Sequence, residues 1–208
     1  MEKKPAPSNQ QPKGLYGFFR RKSTKYSVVF LLFSGFIGGI LFWGGLHTGI
    51  EATNSLEFCT SCHEMRDNVY QEYKQTIHYS NRTGVRAICH DCHVPKDWPH
   101  MMLRKAQASF ELWGKITGAI DTKEKFEAAR LDLARVEWAR MKASDSRECR
   151  NCHSFEGMSA EMQKPRARQM HESAKAEGKT CIDCHKGIAH HKPKDPEDSK
   201  PKAEETYE

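Results

Sequence analysis

The stretch CTSCHEM, residues 59–65, places a histidine directly after two cysteines, and this pattern returns three times in the chain. The repeats are CHDCH at 89–93, CRNCH at 149–153 and CIDCH at 181–185, so the four motifs use all eight cysteines. Cys-x-x-Cys-His is the attachment site of c-type haem: two thiols add to the haem vinyl groups, and the adjacent histidine is placed to bind the iron. The sequence therefore predicts four covalently bound haem c groups.

The residues predicted to hold these haems follow from the motifs. The attachment cysteines are Cys59, Cys62, Cys89, Cys92, Cys149, Cys152, Cys181 and Cys184, and the motif histidines are His63, His93, His153 and His185. Structural zinc is one alternative, because paired Cys-x-x-Cys units build sulfur sites, but zinc does not require a histidine after every pair. A disulfide framework is another, but the two-residue spacing suits cofactor attachment better, and no cysteine remains outside the motifs.

An uncharged run of 20 residues at 27–46, SVVFLLFSGFIGGILFWGGL, matches the length of one transmembrane helix. Residues 1–26 carry seven lysines and arginines against one acid, which predicts a cytoplasmic arm and a haem domain on the periplasmic side of a bacterial inner membrane. A cleaved signal peptide is the alternative, but the run is longer than a typical signal core, and no clean cleavage site follows it.

Three further features of the sequence bear on partners and on order in the chain. The net charge of +6 does not indicate nucleic acid, because much of the excess lies in the arm that faces anionic lipid. Gly35 and Gly39 form a Gly-x-x-x-Gly spacing in the membrane span that could support a homodimer. The charged, proline-rich segment 192–208 is typical of a disordered tail.

The motif spacing predicts two dihaem halves, at 47–103 and 149–191. The first cysteines lie 30 residues apart in one half and 32 in the other, with 60 between the second and third motifs. In the connector, 104–148, apolar residues recur at helical spacing, which predicts two helices, the second beginning near Asp121 and the break lying at Gly114 and Gly118. We expect a mainly helical fold with irregular loops and no substantial strand.

Four irons with one motif histidine each have room for four further ligands, and two strong axial ligands make a haem suited to electron transfer. His78 and His171 lie between the motifs of their halves and are predicted distal ligands. One of His190 and His191 is expected to ligate, with His190 favoured. His90 is predicted to be exposed.

The first two haems remain short of ligands. His47 lies at the membrane exit, where an interfacial role fits better, so His100 is the remaining histidine. Met65, two residues after His63, could bind the first iron in place of that histidine, and a thioether would raise the potential. The alternative is a methionine that packs on the porphyrin edge.

Together, CTSCHEM, HYSNRTGVRA, CHDCHVPKDW, ECRNCH and TCIDCHKGIAHH behind an N-terminal anchor closely resemble the NapC/NirT family of membrane-anchored tetrahaem cytochromes, from about residue 14 to 192. Within the family the chain is most similar to members that serve periplasmic nitrate reductase. The resemblance implies that menaquinol or ubiquinol is oxidised beside the first haem, and that electrons pass through four haems to a periplasmic reductase or its cytochrome subunit.

The resemblance also bears on individual ligands. In the related small subunit of cytochrome c nitrite reductase, the methionine of Cys-x-x-Cys-His-x-Met is an iron ligand, and Met65 occupies that place. Several members have a histidine three residues after the second motif, where this chain has Lys96. His100 could replace that ligand, or the first haem could keep an open side toward quinol.

Quinol oxidation releases two electrons and two protons, so its site needs an apolar slot, a hydrogen-bond partner and a proton acceptor. The segment VPKDWPH offers Lys96 as donor, Asp97 as acceptor and Trp98 as a wall. The alternative is that Lys96 and Asp97 form an ordinary exposed pair.

Several alternatives to electron transfer from quinol to nitrate reductase remain at this stage. The acceptor could be a nitrite, fumarate or N-oxide reductase. A small nitrite or hydroxylamine reductase would need an open haem, often with a proximal lysine, and a haem sensor or storage protein would need no fixed partner.

Overall fold

The computed structural model describes residues 25–196. Within that range all regular structure is helical and no strand forms, which confirms the predicted fold class. The predicted arm, 1–26, and tail, 192–208, lie outside the described residues apart from 25–26 and 192–196. The described residues form two compact units, one that ends at Ile50 and one that begins at Glu51 and carries the four motifs.

Helix α1, Val28–Ala52, contains the predicted membrane span and continues six residues beyond its predicted end at Leu46. Its 25 residues extend about 37 Å at helical rise, which exceeds the hydrocarbon thickness of a bilayer. Residues 29–52 are long and apolar enough to cross a membrane, and the large apolar side chains from Val29 to Leu46 are exposed, whereas Ile50 is buried. The helix is thus suited to serve as a membrane anchor.

Short helices carry the haem motifs. They are α2 at Leu56–Cys59, α4 at Cys89–His93, α7 at Arg147–Arg150 and α9 at Cys181–Cys184. Between the first two lie one π-helical turn, Met65–Val69, and helix α3, Tyr70–Tyr73.

In motifs two and four, the residue before the second cysteine is an aspartate whose carboxylate caps the N-terminus of the helix that contains it. Asp91 accepts a hydrogen bond from the backbone N–H of Ile88 at 2.9 Å, and Asp183 accepts one from Thr180 at the same distance. These bonds satisfy backbone donors at the start of each turn.

Two long helices, α5 at Trp98–Ile116 and α6 at Lys123–Ala143, confirm the helical periodicity of the connector. Gly114 lies inside α5, so the predicted break there is wrong; the turn is at Gly118, whose φ of +73° favours glycine. Thr122, rather than Asp121, begins α6 by accepting a hydrogen bond from the Lys125 N–H. Asp121 instead pairs with the Lys125 side chain at 2.7 Å.

The apolar stripe predicted on α5 does not lie in a protein core. Leu103, Phe110 and Trp113 are exposed, and Phe110 is 81% accessible. In the unit from Glu51 onward, the buried apolar residues are few: Tyr73, Met101, Phe126, Met141 and Ile182. Helical periodicity therefore identified the helix but not the partner of its apolar face. Helix α8, at Pro165–Ala176, precedes the fourth motif.

A buried ion pair ties the first half to the connector and to the end of the chain. Arg130 donates to both carboxylate oxygens of Glu72 at 2.6 and 3.0 Å, and each side chain is 12% exposed. Glu72 also accepts the His191 backbone N–H at 2.8 Å, and Arg130 reaches the His191 carbonyl at 3.3 Å. These bonds fix the backbone immediately after His190.

Replacing Glu72 by alanine is expected to lower the free energy of unfolding by about 3 kcal/mol, because Arg130 and the His191 N–H would lose a buried partner. The thermal midpoint of the detergent-solubilised holoprotein measures this effect. Glu127 also pairs with Arg130, but its side chain is half-exposed, so Glu127→Ala should cost less than about 1 kcal/mol. Equal losses in the two variants would contradict a dominant role for Glu72.

Candidate haem sites

All eight motif cysteines are free thiols, partly buried or exposed, so none is committed to a disulfide. Among residues 25–196 no group of three or more histidine, cysteine or acidic side chains is arranged to hold a metal ion on its own. The Cys59 and Cys89 thiols lie next to each other, and a hydrogen bond from Cys89 lowers the pKa of Cys59 to about 7. The same contact, together with burial, raises the pKa of Cys89, so motifs one and two bring together two thiols of unequal acidity.

The four motifs are neighbours in chain order. Helix α2 packs against α4, and α4 packs against α7. The third and fourth motifs are joined by the buried Ser146 hydroxyl, which accepts a hydrogen bond from the Ile182 N–H at 3.1 Å. Lys142 adds an ion pair to Asp183 at 2.8 Å. Groups attached at the motifs would therefore form a row from the first to the fourth.

Three motif histidines each face a second histidine. The ring centroids are 6.2 Å apart for His93 and His190, 6.3 Å for His78 and His153, and 6.0 Å for His171 and His185. Two imidazole nitrogens, each about 2 Å from a shared iron, place the ring centroids about 6 Å apart. The residues present therefore fit a haem iron between each pair.

These pairs include the three predicted distal histidines. His78 belongs to the first half but faces the third motif, and its buried Nδ1 has no hydrogen-bond partner within the described residues. His171 faces the fourth motif and its Nδ1 lies 2.7 Å from Gln163 Oε1, which fixes the ring orientation. Two of the three pairs join one half of the domain to the other.

The structure distinguishes the two adjacent histidines near the end of the domain. His190 is buried against His93, and burial lowers the pKa of His190 to about 4. It is therefore neutral at pH 7, which is the form that binds metal. The His191 side chain is 73% exposed beside Glu72.

A carboxylate that the sequence analysis missed lies behind the second motif. Glu137 Oε1 is 2.8 Å from His93 Nδ1, and Arg140 donates to Glu137 from the other side at 2.5 and 2.9 Å. Burial raises the pKa of Glu137, but the hydrogen bonds from Arg140 and His93 outweigh it and hold the pKa well below its usual range. A Glu-x-x-Arg pair on a helix was the available signal, but it is common on solvated surfaces.

The first motif differs from the other three. His63 Nε2 lies 3.4 Å from Glu64 Oε1, and in the described part of the chain no second imidazole ring packs against it. Met65 begins the π-helical turn and is 41% exposed. Glu64 is buried and pairs with Lys115 at 2.6 Å. The structure therefore leaves Met65 partly exposed beside the motif.

The remaining predicted residues lie at the start of α5. Asp97 caps this helix, and its carboxylate contacts the His100 ring and lies 3.4 Å from Arg147 Nη1. The hydrogen bond from His100, with the charge of Arg147, lowers the pKa of Asp97. Lys96 Nζ lies 3.5 Å from Asp91 of the second motif.

Trp98 and His90 are the other two residues near the second motif for which the sequence made a prediction. Trp98 is 46% exposed, so it is not enclosed by the described residues. His90 was expected to be exposed, but it is partly buried, and its Nδ1 lacks a hydrogen-bond partner in the described structure.

The chain is similar to known c-type cytochromes over most of its length. The model of the NapC/NirT cytochrome c family, N-terminal region, matches residues 21–195. The denitrification system component NirT of Stutzerimonas stutzeri is 66% identical over 186 residues, covering 89% of this chain and 92% of the relative. The cytochrome c-type protein NapC of Escherichia coli K12 is 57% identical over 173 residues, covering 83% and 86%.

A third relative bears on the number of haems. The putative tetraheme cytochrome-c type protein of Allochromatium vinosum is 49% identical over 164 residues, covering 79% of this chain and 89% of the relative. No solved structure matches the chain significantly. With its four Cys-x-x-Cys-His motifs as attachment sites for haem c, the chain belongs to the NapC/NirT family of c-type cytochromes.

Proposed function

We propose that this cytochrome oxidises a membrane quinol, menaquinol or ubiquinol, and passes the electrons through four haems to a periplasmic reductase. The observation that carries the proposal is the row of motifs with three facing imidazole pairs at 6.0–6.3 Å. Haem with two strong axial ligands exchanges single electrons and is closed to substrate. Such a row suits electron transfer rather than bond-making chemistry.

The chain's own residues set the ligation. His93 and His190 are proposed to hold the second haem, His153 and His78 the third, and His185 and His171 the fourth. For the first haem, Met65 or His63 is proposed on one side, with His100 or an open position on the other. The exposed methionine beside a motif without a facing imidazole favours Met65.

The quinol end is proposed to lie near the start of α5. Lys96 would donate a hydrogen bond to the quinol oxygen, and Asp97 would accept a proton. Since His100 and Arg147 lower the pKa of Asp97, that carboxylate is a weak base on its own; in the arrangement where the first haem keeps an open position, His100 is positioned to take the proton onward. This arrangement makes the contact between Asp97 and His100 part of the proposed proton path.

The anchor and the acceptor complete the proposal. Helix α1 would hold the protein in the bacterial inner membrane with its N-terminus in the cytoplasm, and the Gly-x-x-x-Gly at Gly35 and Gly39 would support a homodimer. Nitrate reductase is the proposed acceptor on the similarity to NapC. The higher identity to NirT makes a nitrite reductase of a denitrifying pathway the second candidate.

Stopped-flow reduction of the purified protein in detergent tests the function. We expect a menaquinol or ubiquinol analogue to reduce the haems rapidly, and a quinone-site inhibitor to block the reaction. Mixing the reduced protein with purified nitrate or nitrite reductase then identifies the acceptor by the rate of reoxidation. Haems that dithionite reduces but quinol does not would overturn the proposal.

Replacing His78 by leucine should leave four attached haems but convert one of them from low spin to high spin, because the third motif would lose its facing imidazole. Haem content by the pyridine haemochrome assay and spin state by electron paramagnetic resonance measure this. His90→Leu is the control, since His90 faces no motif histidine. A His78→Leu protein with as many low-spin signals as the wild type would contradict the ligand assignment.

Replacing Lys96 by alanine is expected to slow quinol-driven haem reduction about tenfold or more, through loss of one hydrogen bond to the quinol oxygen. Reduction by dithionite should not change. Lys175→Ala removes a charge from an exposed position on α8 and serves as the matched control. An unchanged quinol rate in Lys96→Ala would remove Lys96 from the site.

A further inference from the structure

The second motif histidine has a carboxylate closer to its ring than any of its counterparts has. His93 Nδ1, on α4, lies 2.8 Å from Glu137 Oε1, on α6, which is within hydrogen-bonding distance. Elsewhere in the described chain, the nearest carboxylate to a motif histidine is Glu64, 3.4 Å from Nε2 of His63. No carboxylate oxygen within residues 25–196 comes within 4 Å of the ring nitrogens of His153 or His185. The second motif is therefore electrostatically distinct.

The partner is held rigidly. Arg140 donates to both oxygens of Glu137 at 2.5 and 2.9 Å and also reaches the Cys92 carbonyl of the same motif at 3.4 Å. Glu137 and Arg140 are each about 80% buried by side-chain area, with 20% and 21% exposed. Both groups lie on α6, and the bond from Arg140 to the Cys92 carbonyl links this pair to the motif that contains His93.

The direction of the effect on iron follows from the charge. An imidazole that donates its N–H to a carboxylate becomes a stronger electron donor through its other nitrogen. The nearby negative charge also favours the oxidised iron, which carries one more positive charge than the reduced iron. Both effects lower a reduction potential, which responds to hydrogen bonding and burial around the axial ligand.

We propose that Glu137 tunes the haem of the second motif by accepting the N–H of His93, making this haem lower in potential than it would be with a neutral partner. The inference rests on the proposed ligation by His93 and His190, but not on the identity of the electron donor. Glu137 is a positioning residue that acts through His93. In the row of haems, an electron that reaches the second haem would then pass readily to the third.

Glu137→Gln tests the inference, because glutamine keeps the shape and a hydrogen-bond acceptor but removes the charge. Potentiometric titration of the full-length protein, followed in the haem absorption bands, should show one haem of four with a raised midpoint. We expect about a tenfold shift in its ratio of reduced to oxidised iron at fixed potential, equal to about 59 mV for one electron. The low-spin signal assigned to that haem should also shift in electron paramagnetic resonance.

Asp132→Asn is the matched control, since it removes one charge from an exposed position on the same helix. Its titration should match that of the wild type. A Glu137→Gln titration that superimposes on the wild type, or equals that of Asp132→Asn, overturns the inference. Because the titration uses chemical mediators, a failure of quinol reduction leaves this result unaffected, and the two proposals fail separately.

Arg140→Gln provides a second test with the opposite sign, for the case in which Glu137→Gln does not assemble. Without the guanidinium, the charge of Glu137 is less neutralised, so the midpoint of the same haem should fall. A rise or no change would overturn the inference. Haem content by the pyridine haemochrome assay is measured on each variant, so that only fully loaded protein is compared.

Discussion

The pairing of imidazole rings across the sequence constrains this structure more than any apolar cluster does. His78 faces His153, and His93 faces His190, so two pairs of rings with centroids about 6 Å apart bring together segments that are far apart in the chain. The buried apolar side chains of this unit are few. Covalent attachment of haem and ligation by histidine would supply the cohesion that a hydrophobic core supplies in other small domains.

The charged side chains near the second motif position the two members of the His93–His190 pair. On one side, Glu72 and Arg130 hold the backbone after His190; on the other, Glu137 and Arg140 hold the ring of His93. Partly buried ion pairs of this kind contribute little net stability over an apolar alternative, but they fix geometry, and removal of one partner is costly. They therefore set the position and the electrostatic environment of one proposed iron site.

The exposed apolar stripe on α5 shows what helical periodicity in a sequence predicts and what it does not. Leu103, Phe110 and Trp113 recur at helical spacing, and the helix forms where they predict it. The same spacing would place them in a core, yet they are exposed. A pattern with a period of 3.6 records which residues share a face, but it does not record what that face meets. The same limit explains Gly114, which a helix tolerates when its neighbours favour the conformation.

Local rules of chemistry and length let the sequence alone determine the attachment cysteines, the motif histidines, the anchor and the helical class. Two cysteines and a histidine are adjacent in every motif, and the thickness of a bilayer fixes the length of a span. The sequence also nominated His78, His171 and His190, but only the tertiary structure decided which motif each one faces, because ligand geometry joins residues from separate elements. It likewise brought Glu137 to His93 across 44 positions of chain. No local pattern encodes such a contact, because it forms only when α4, which carries His93, and α6, which carries Glu137, come together in the fold.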